Sequence, residues 1–411
     1  MDALNILEKQ ITQGCLTVHL PDGRTRSFGS GQPQAEWVLR TPHTLKRILL
    51  DPELMLGETY MDGEWDVPDV PHGSLIALLE VLMRNFPESL PQKRNPLLGL
   101  CKGLLRRGNG IRRSYRNVAH HYDLDEWLFR LFLDQDMQYS CAYFYQPNIS
   151  LNEAQRAKRY HIMHKLLLQP GQRVLDIGCG WGGLALHLAE HAGVKVTGLT
   201  LSREQLRVAQ QRAKERGLED RVEFLLQDYR EHHGSYDRIV SVGMFEHVGT
   251  LHYPYYFAQV ARLLHSDGVA LLHTIGRSGP PGETNPWIQK YIFPGGYNPA
   301  LSEVSAAVER SGLITCDVEV LRLHYAMTLA AWAKRFQAER TQIAVRMGER
   351  FCRMWEFYLA ACEASFRWRD LVVYQIQLAR RVDAVPITRS YLYQGADQEL
   401  PQTNRTASSA T

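Results

Sequence analysis

No Cys-x-x-Cys pair occurs in these 411 residues. The cysteines (Cys15, Cys101, Cys141, Cys179, Cys316, Cys352 and Cys362) are odd in number and scattered. That argues against a zinc site and a disulfide framework, and for reduced thiols in a cytoplasmic protein. Long apolar runs are missing too. The most apolar stretch, SLIALLEVLM (74–83), is too short and too charged to span a bilayer, so the chain can touch a membrane but not cross one. The opening MDALNILEKQITQG carries acids early and has no apolar core, so it is not a signal peptide. Acids are absent between Lys93 and Arg116. Lys93, Arg94, Lys102, Arg106, Arg107, Arg112, Arg113 and Arg116 make a run suited to anionic lipid or nucleic acid. The run lacks the interleaved aromatics of single-strand binding, so nucleic acid ranks below lipid.

The remaining composition is that of a globular protein, 45% hydrophobic and 22% charged with a net charge of +3. The length predicts two domains. Residues 1 to about 105 read as a smaller α+β unit. CLTVHLPDGRTRSFG alternates around Pro21-Asp22-Gly23, the pattern of a hairpin. In 41–67, Thr41 or Thr44 caps a helix carrying Leu45, Ile48 and Leu49 at helical spacing. The segment 72–86 is an amphipathic helix whose apolar face is core before it is membrane contact. Pro, Gly and basic residues mark 87–118 as a connection, with 106–118 as the basic linker.

A catalytic unit, 119–390, follows, and 391–411 reads as a polar, disordered tail. From about 155 strands alternate with helices: RVLDIGCG (173–180), KVTGLTL (195–201), RVEFLLQD, DRIVSVG and GVALLHTIG (268–276). Ser202 and Gln205 have capping-box spacing ahead of a helix that Gly217 ends. This alternation specifies an α/β fold with a doubly wound, mostly parallel sheet. From 326 to about 380 the pattern is mostly helical and aromatic.

VLDIGCGWGG places Gly178, Gly180, Gly182 and Gly183 after a strand and before a helix, where backbone can approach a ligand closely. Gly178, Gly180 and Gly183 satisfy G-x-G-x-x-G, so a nicotinamide dinucleotide is one candidate. The second strand, however, ends in GLTLS with no ribose-binding acid. Asp176, two residues before the glycines, would repel a pyrophosphate and suits a ligand with an amino group, such as S-adenosylmethionine. Asp228 ends the third strand and can accept from an adenine amino group while Tyr229 packs on the base; alone, the pair would be a surface turn.

In a parallel sheet the C-terminal strand ends share one crevice, so Gly178, Thr200, Asp228, Glu246 and His273 should converge. Glu246, in VGMFEHVG, lies four residues past its strand. A carboxylate beside an imidazole at that place could be an acid–base site, a metal site or a surface corner. His247 is read as structural and facing away, and Cys179 as chosen for small size.

With these residues assembled, the chain resembles the cyclopropane-fatty-acyl-phospholipid synthases, a family that includes the mycolic acid cyclopropane synthases. The motifs are GETYMDGEWDV (57–67), HHYDL (120–124), FLDQDMQYSCAYF (132–144), VLDIGCGWGGLA, GLTLSREQ, LLQDYR, VSVGMFEHVG, LLHTIG, PWIQKYIFPGGY (286–297) and FYLAACEASFRWRD (357–370). One departure is Asp125-Glu126, where many bacterial members have Gly-Asn.

The resemblance implies a seven-stranded, Rossmann-like class I methyltransferase fold and a cytoplasmic enzyme peripheral to the inner face of the membrane. It would use S-adenosylmethionine to convert a cis double bond of an unsaturated phospholipid acyl chain to a cyclopropane. It also implies a bound bicarbonate as base, held by Cys141, Glu246, His273, the backbone of Ile275, and Tyr325. Tyr139, Ser140, Asp176, Gly178, Gly180, Gly182, Thr200, Leu201, Gln205, Asp228 and Tyr229 would hold the donor. Cys362 is a candidate only, since a packing cysteine accounts for it. A homodimer built on the N-terminal unit is implied as well. The competing readings are a non-cyclising C-methyltransferase on the same lipids, a non-catalytic lipid-binding protein and a nicotinamide oxidoreductase.

Overall fold

The computed structural model describes residues 3–68, 71–86 and 126–392, the side chains of 71–73 excepted. The basic run, the linker and all but the first two residues of the 391–411 tail lie outside the described residues.

β1 (Gly14–His19) and β2 (Thr25–Ser30) form the hairpin that the Pro-Asp-Gly turn predicts. The Leu20 N–H donates to the Arg24 carbonyl at 2.8 Å across it. β3 (Gln34–Leu39) pairs parallel with β1, and β4 (Trp65–Asp66) antiparallel with β3. The cap expected at Thr41 or Thr44 is not made: His43 stands at the N-cap of helix Thr44–Leu50, with no side-chain bond. The Thr44 hydroxyl lies within the first turn and donates to Glu64 Oε2 at 3.1 Å instead.

The helix Pro71–Asn85 buries Leu75, Leu78, Leu79 and Val81. These positions repeat at the helical period, and the helix packs on β3 and on helix Glu349–Trp368. That stripe is core, so it is not a membrane contact.

In the second unit, β5 (Arg173–Ile177) pairs with β6 (Lys195–Thr200), and β6 with β7 (Val222–Leu226). The chain then returns to lay β8 (Tyr236–Val242) and β9 (Leu264–Arg277) on the other side of β5. All these pairings are parallel. β10 (Ile314–Val320) and β11 (Leu371–Ala379) complete that edge antiparallel, giving the order β10-β11-β9-β8-β5-β6-β7. The sheet is therefore seven-stranded and mostly parallel. The region read as helical to about 380 ends its helices at Trp368, and β11 follows. The chain reverses direction across the sheet at β5, and there the C-terminal ends of β5 and β8 open a crevice.

Family motifs distant in sequence meet between the two units. Arg353 donates to the Tyr60 carbonyl at 2.5 Å and the Trp65 carbonyl at 2.8 Å, with its guanidinium 4.0 Å from the Tyr60 ring centre. Lys290 and Tyr291 both bond Glu58, at 2.5 and 2.9 Å. A Cβ on Gly57 would fall 2.4 Å from the buried Trp287 indole, so only glycine allows that approach. Among the described residues no helix is long and apolar enough to cross a membrane.

Candidate active site

The crevice holds a cavity whose walls include Tyr139, Ser140, Asp176, Gly178, Gly180, Thr200, Leu201, Gln205, Asp228 and Tyr229. Each is a residue expected to hold the donor. Gly178 takes φ +86°, and a Cβ there would strike Met244. Gly182 is not among the lining residues. It opens helix Gly183–Ala192 at φ +80°, and a Cβ on it would meet the Phe224 ring at 2.7 Å and Ala209 at 2.9 Å. Its missing side chain serves helix–strand packing.

Polar groups around the cavity hold one another in place. The Thr200 hydroxyl donates to Gln205 Oε1 at 2.8 Å, and Ser202 Oγ accepts from the Gln205 amide. The capping box is thus half made, because the Gln205 side chain turns to the cavity wall. Asp228 takes Arg230 on both oxygens, at 2.8 and 2.6 Å. Asp176 has its Oδ2 buried with no partner among the described residues. Burial pushes this carboxyl up to about 7 against the pull of Lys158, so a cationic group in the cavity would gain by meeting it.

Tyr139 and Ser140 come from a loop that a buried ion cluster pins. Asp136 pairs with Arg159 and bonds Arg212 at 2.8 Å and Arg216 at 2.5 Å. Burial would raise the Asp136 carboxyl, yet Arg159 and Arg216 hold it at about 2. The Gln155 side chain donates to the Ser140 carbonyl at 2.9 Å. Glu126, at the departure from the family pattern, opens helix Glu126–Phe132 and pairs with Arg130 and Arg207, while Asp125 lies outside the described residues.

Beyond the donor cavity, Glu246 sits in the short 3₁₀ turn Phe245–His247. Its Oε1 accepts the Ile275 N–H at 2.6 Å, and its Oε2 is buried without a partner among the described residues. Burial pushes this carboxyl up to about 7, with the Ile275 bond opposing. The Ile275 amide proton is therefore already committed to Glu246.

Tyr325, on helix His324–Ala338, lies close enough to Tyr139, Cys141, Glu246 and Cys362 for their charges to add to the burial that raises its phenol. Burial also raises the Cys141 thiol well above its usual range, and Cys362 up to about 12. Both stay protonated, so Cys362 is no thiolate nucleophile. His273 and Ile275 share one face of β9 by the strand's period of two. The His273 Nδ1 lies 3.1 Å from the Gln375 amide nitrogen, and burial pulls the imidazole well below its usual range, so the ring is neutral. Ring faces surround the cluster: Tyr139 stacks on Trp332 at 5.1 Å, Tyr325 tilts on Phe366 at 4.9 Å, and the Tyr139 and Tyr358 hydroxyls meet at 2.8 Å.

His247 does not face away. It is among the residues lining the cavity, with its ring centre 5.9 Å from that of Phe293. Burial lowers its imidazole to about 4. Gln138, Arg230, Gly243 and Met244 also line the cavity. They are neighbours of residues expected from the sequence, and adjacency to those motifs was their only signal.

A seven-stranded sheet of this order, with a cavity at the reversal and a glycine turn after its first strand, is that of a class I S-adenosylmethionine-dependent methyltransferase. The family model for mycolic acid cyclopropane synthetase matches residues 110–376, and the chain belongs to that family. A second model, a domain of unknown function (DUF7884), matches residues 4–94. The chain is 41% identical to the cyclopropane-fatty-acyl-phospholipid synthase of Escherichia coli K12, over 86% of this chain and 90% of that one. It is 36% identical to a tuberculostearic acid methyltransferase of Mycobacterium tuberculosis, over 92% and 91%. A crystal structure of a mycolic acid cyclopropane synthase, CmaA1, complexed with SAH and CTAB superposes with a TM-score of 0.61 at 37% identity, covering 64% of this chain and 97% of that one.

Proposed function

We propose that this enzyme transfers a methylene group from S-adenosylmethionine to the cis double bond of unsaturated acyl chains in membrane phospholipids, forming a cyclopropane. The observation that carries the reading is the buried Glu246 carboxyl beside Tyr325. Its Oε2 has no partner among the described residues, and burial pushes the carboxyl up to about 7 against the Ile275 and Thr274 bonds. An alkene is a weak nucleophile and must meet the sulfonium methyl in a dry pocket. Transfer of that methyl leaves a cation on the other alkene carbon, which the faces of Tyr139, Tyr325 and Phe366 favour. Loss of a proton from the new methyl leaves its electron pair to close the ring.

Bicarbonate, when bound, would supply the base for that proton. The residues present fit an anion. Protonated Glu246 and the Tyr325 phenol are neutral donors, while the Cys141 thiol donates to the Ala142 carbonyl at 3.3 Å and would have to turn from it. The neutral His273 ring, with Nδ1 3.1 Å from the Gln375 side-chain nitrogen, would add a further polar group if it faces the same space. A neutral, donor-rich cluster would hold a small anion without a second charge. Glu246 orients it and can move its proton.

The likeness to the tuberculostearic acid methyltransferase keeps a second reading open, a non-cyclising C-methyltransferase on the same lipids, which differs only in the proton lost. Purified protein with S-adenosylmethionine and vesicles of a cis-monounsaturated phospholipid decides between them. High-field cyclopropane signals in the proton NMR spectrum are expected. Vinylic and branched-methyl signals would establish the alternative. Glu246→Gln should retain S-adenosylhomocysteine binding and lose about 10²–10⁴-fold in turnover, and full activity would remove Glu246 from the chemistry.

A bilayer substrate would require the enzyme to reach a membrane surface. At the cytoplasmic inner face the basic run 93–116 would contribute about 1 kcal/mol per cation near anionic lipid. On this reading the chain divides into a lipid-engaging unit (1–105), a linker (106–118) and a catalytic unit (119–390).

A further inference from the structure

Lys158 stands behind the donor cavity and belongs to no set of residues named so far. It lies on helix Leu151–Leu166 with no exposed surface. Its Nζ donates to Ser140 Oγ at 2.8 Å, and among the described residues it makes no other hydrogen bond. Burying an ammonium is expensive, and one hydroxyl is poor compensation for lost water.

The neighbourhood is mixed in charge. Asp134 and Asp176 face Lys158 from the 133–138 loop and β5, Cys141 lies beside it, Arg159 opposes it from its own helix, and His273 feels its charge from β9. Asp134 is committed, since its oxygens accept the amides of Gln138 at 2.7 Å and Asp136 at 3.1 Å. Burial pulls the ammonium down to about 7, with Asp134 opposing.

The geometry has a directional consequence at Ser140. Its oxygen accepts from Lys158, so its own proton points elsewhere, and Ser140 lines the cavity. A hydroxyl polarised by a cation behind it is a donor matched to a carboxylate. The unpartnered Asp176 Oδ2 in the same wall is matched to an ammonium.

We propose that Lys158 is a positioning residue for the methyl donor's α-carboxylate, acting through the Ser140 hydroxyl while Asp176 takes the α-amino group. This rests on the donor occupying the cavity. The amino-acid tail is a zwitterion, and the wall answers it with one anion at the surface and one cation a hydroxyl deep. Fixing the tail fixes the sulfonium methyl, which must point at the alkene.

Calorimetric titration of the full chain with S-adenosylhomocysteine and with 5′-methylthioadenosine, which lacks the amino-acid tail, tests this. Lys158→Met should weaken the first by about 10–100-fold and leave the second within about 3-fold. Ser140→Ala should reproduce the split, and the double variant should lose little more than either single one, because the two act in series. Equal losses for both ligands would make Lys158 a packing residue and overturn the proposal, as would an unchanged S-adenosylhomocysteine affinity. If Lys158→Met fails to fold, Lys158→Gln and Ser140→Ala carry the same comparison. Failure of the wild-type chain to bind either ligand would bring down the donor reading itself.

Discussion

At the scale of single residues, the buried carboxyl of Glu246 is a cost in stability. Glu246 has an ordinary pKa of 4.5 and a folded value of about 7, raised by burial. Between those values the folded chain keeps a proton that the unfolded chain has released. Stability therefore falls as pH rises from about 4.5 through 7, by about 3 kcal/mol at pH 8. Glu246→Gln removes the dependence. In bicarbonate-free buffer, the stability of that variant relative to wild type should grow by about 3 kcal/mol between pH 5 and pH 8, as read by urea unfolding. A constant difference would mean that the folded carboxyl is already ionised below neutrality. Glu246 could be found from the sequence because it follows a strand that must end at the crevice. His247 could not, since what surrounds it, the Phe293 ring and the cavity wall, comes from distant parts of the chain.

At the scale of elements, glycine positions discriminate between ligand approach and packing. Gly57 lies in the interior of helix Pro52–Met61, where alanine would gain about 1 kcal/mol of helix propensity. The added methyl would also run into the buried Trp287 indole. Overpacking of this kind costs about 1–3 kcal/mol, so Gly57→Ala should be net destabilising, seen as a fall of a few degrees in Tm. A rise in Tm would show that the indole can yield.

The five strands with flanking turn signals were legible, and they fix the parallel part of the sheet and the crevice. β10 and β11 were not. β11, LVVYQIQLA, is buried along nearly its whole length between two neighbours, so it shows no alternation. Gln375 and Gln377 interrupt its apolar run, and their side-chain nitrogens find partners only in the fold, at His273 Nδ1 and at the Lys165 carbonyl, 2.6 Å away. In ITCDVEV the alternation is blurred by Cys316 and Asp317, where the register shifts. The family resemblance supplied the strand number that local pattern could not.

At the scale of the whole molecule, the small sheet and the catalytic helices are bound by polar contacts as well as by a shared core. Arg353 ties helix Glu349–Trp368 to two carbonyls and a ring of the first unit. Arg353→Ala leaves those carbonyls short of a charged donor and should cost about 2–3 kcal/mol, with calorimetric unfolding still a single transition. A separate early transition would show that the two units hold together only through this side chain.

The Gly57–Trp287 contact also bears on how such proteins can be recombined. An indole seated on a bare backbone is a key cut for one lock. A chimera that takes its first unit from one relative and its second from another must therefore inherit the glycine and the tryptophan together. Grafting across that boundary by choosing only a convenient linker would join two halves that no longer close.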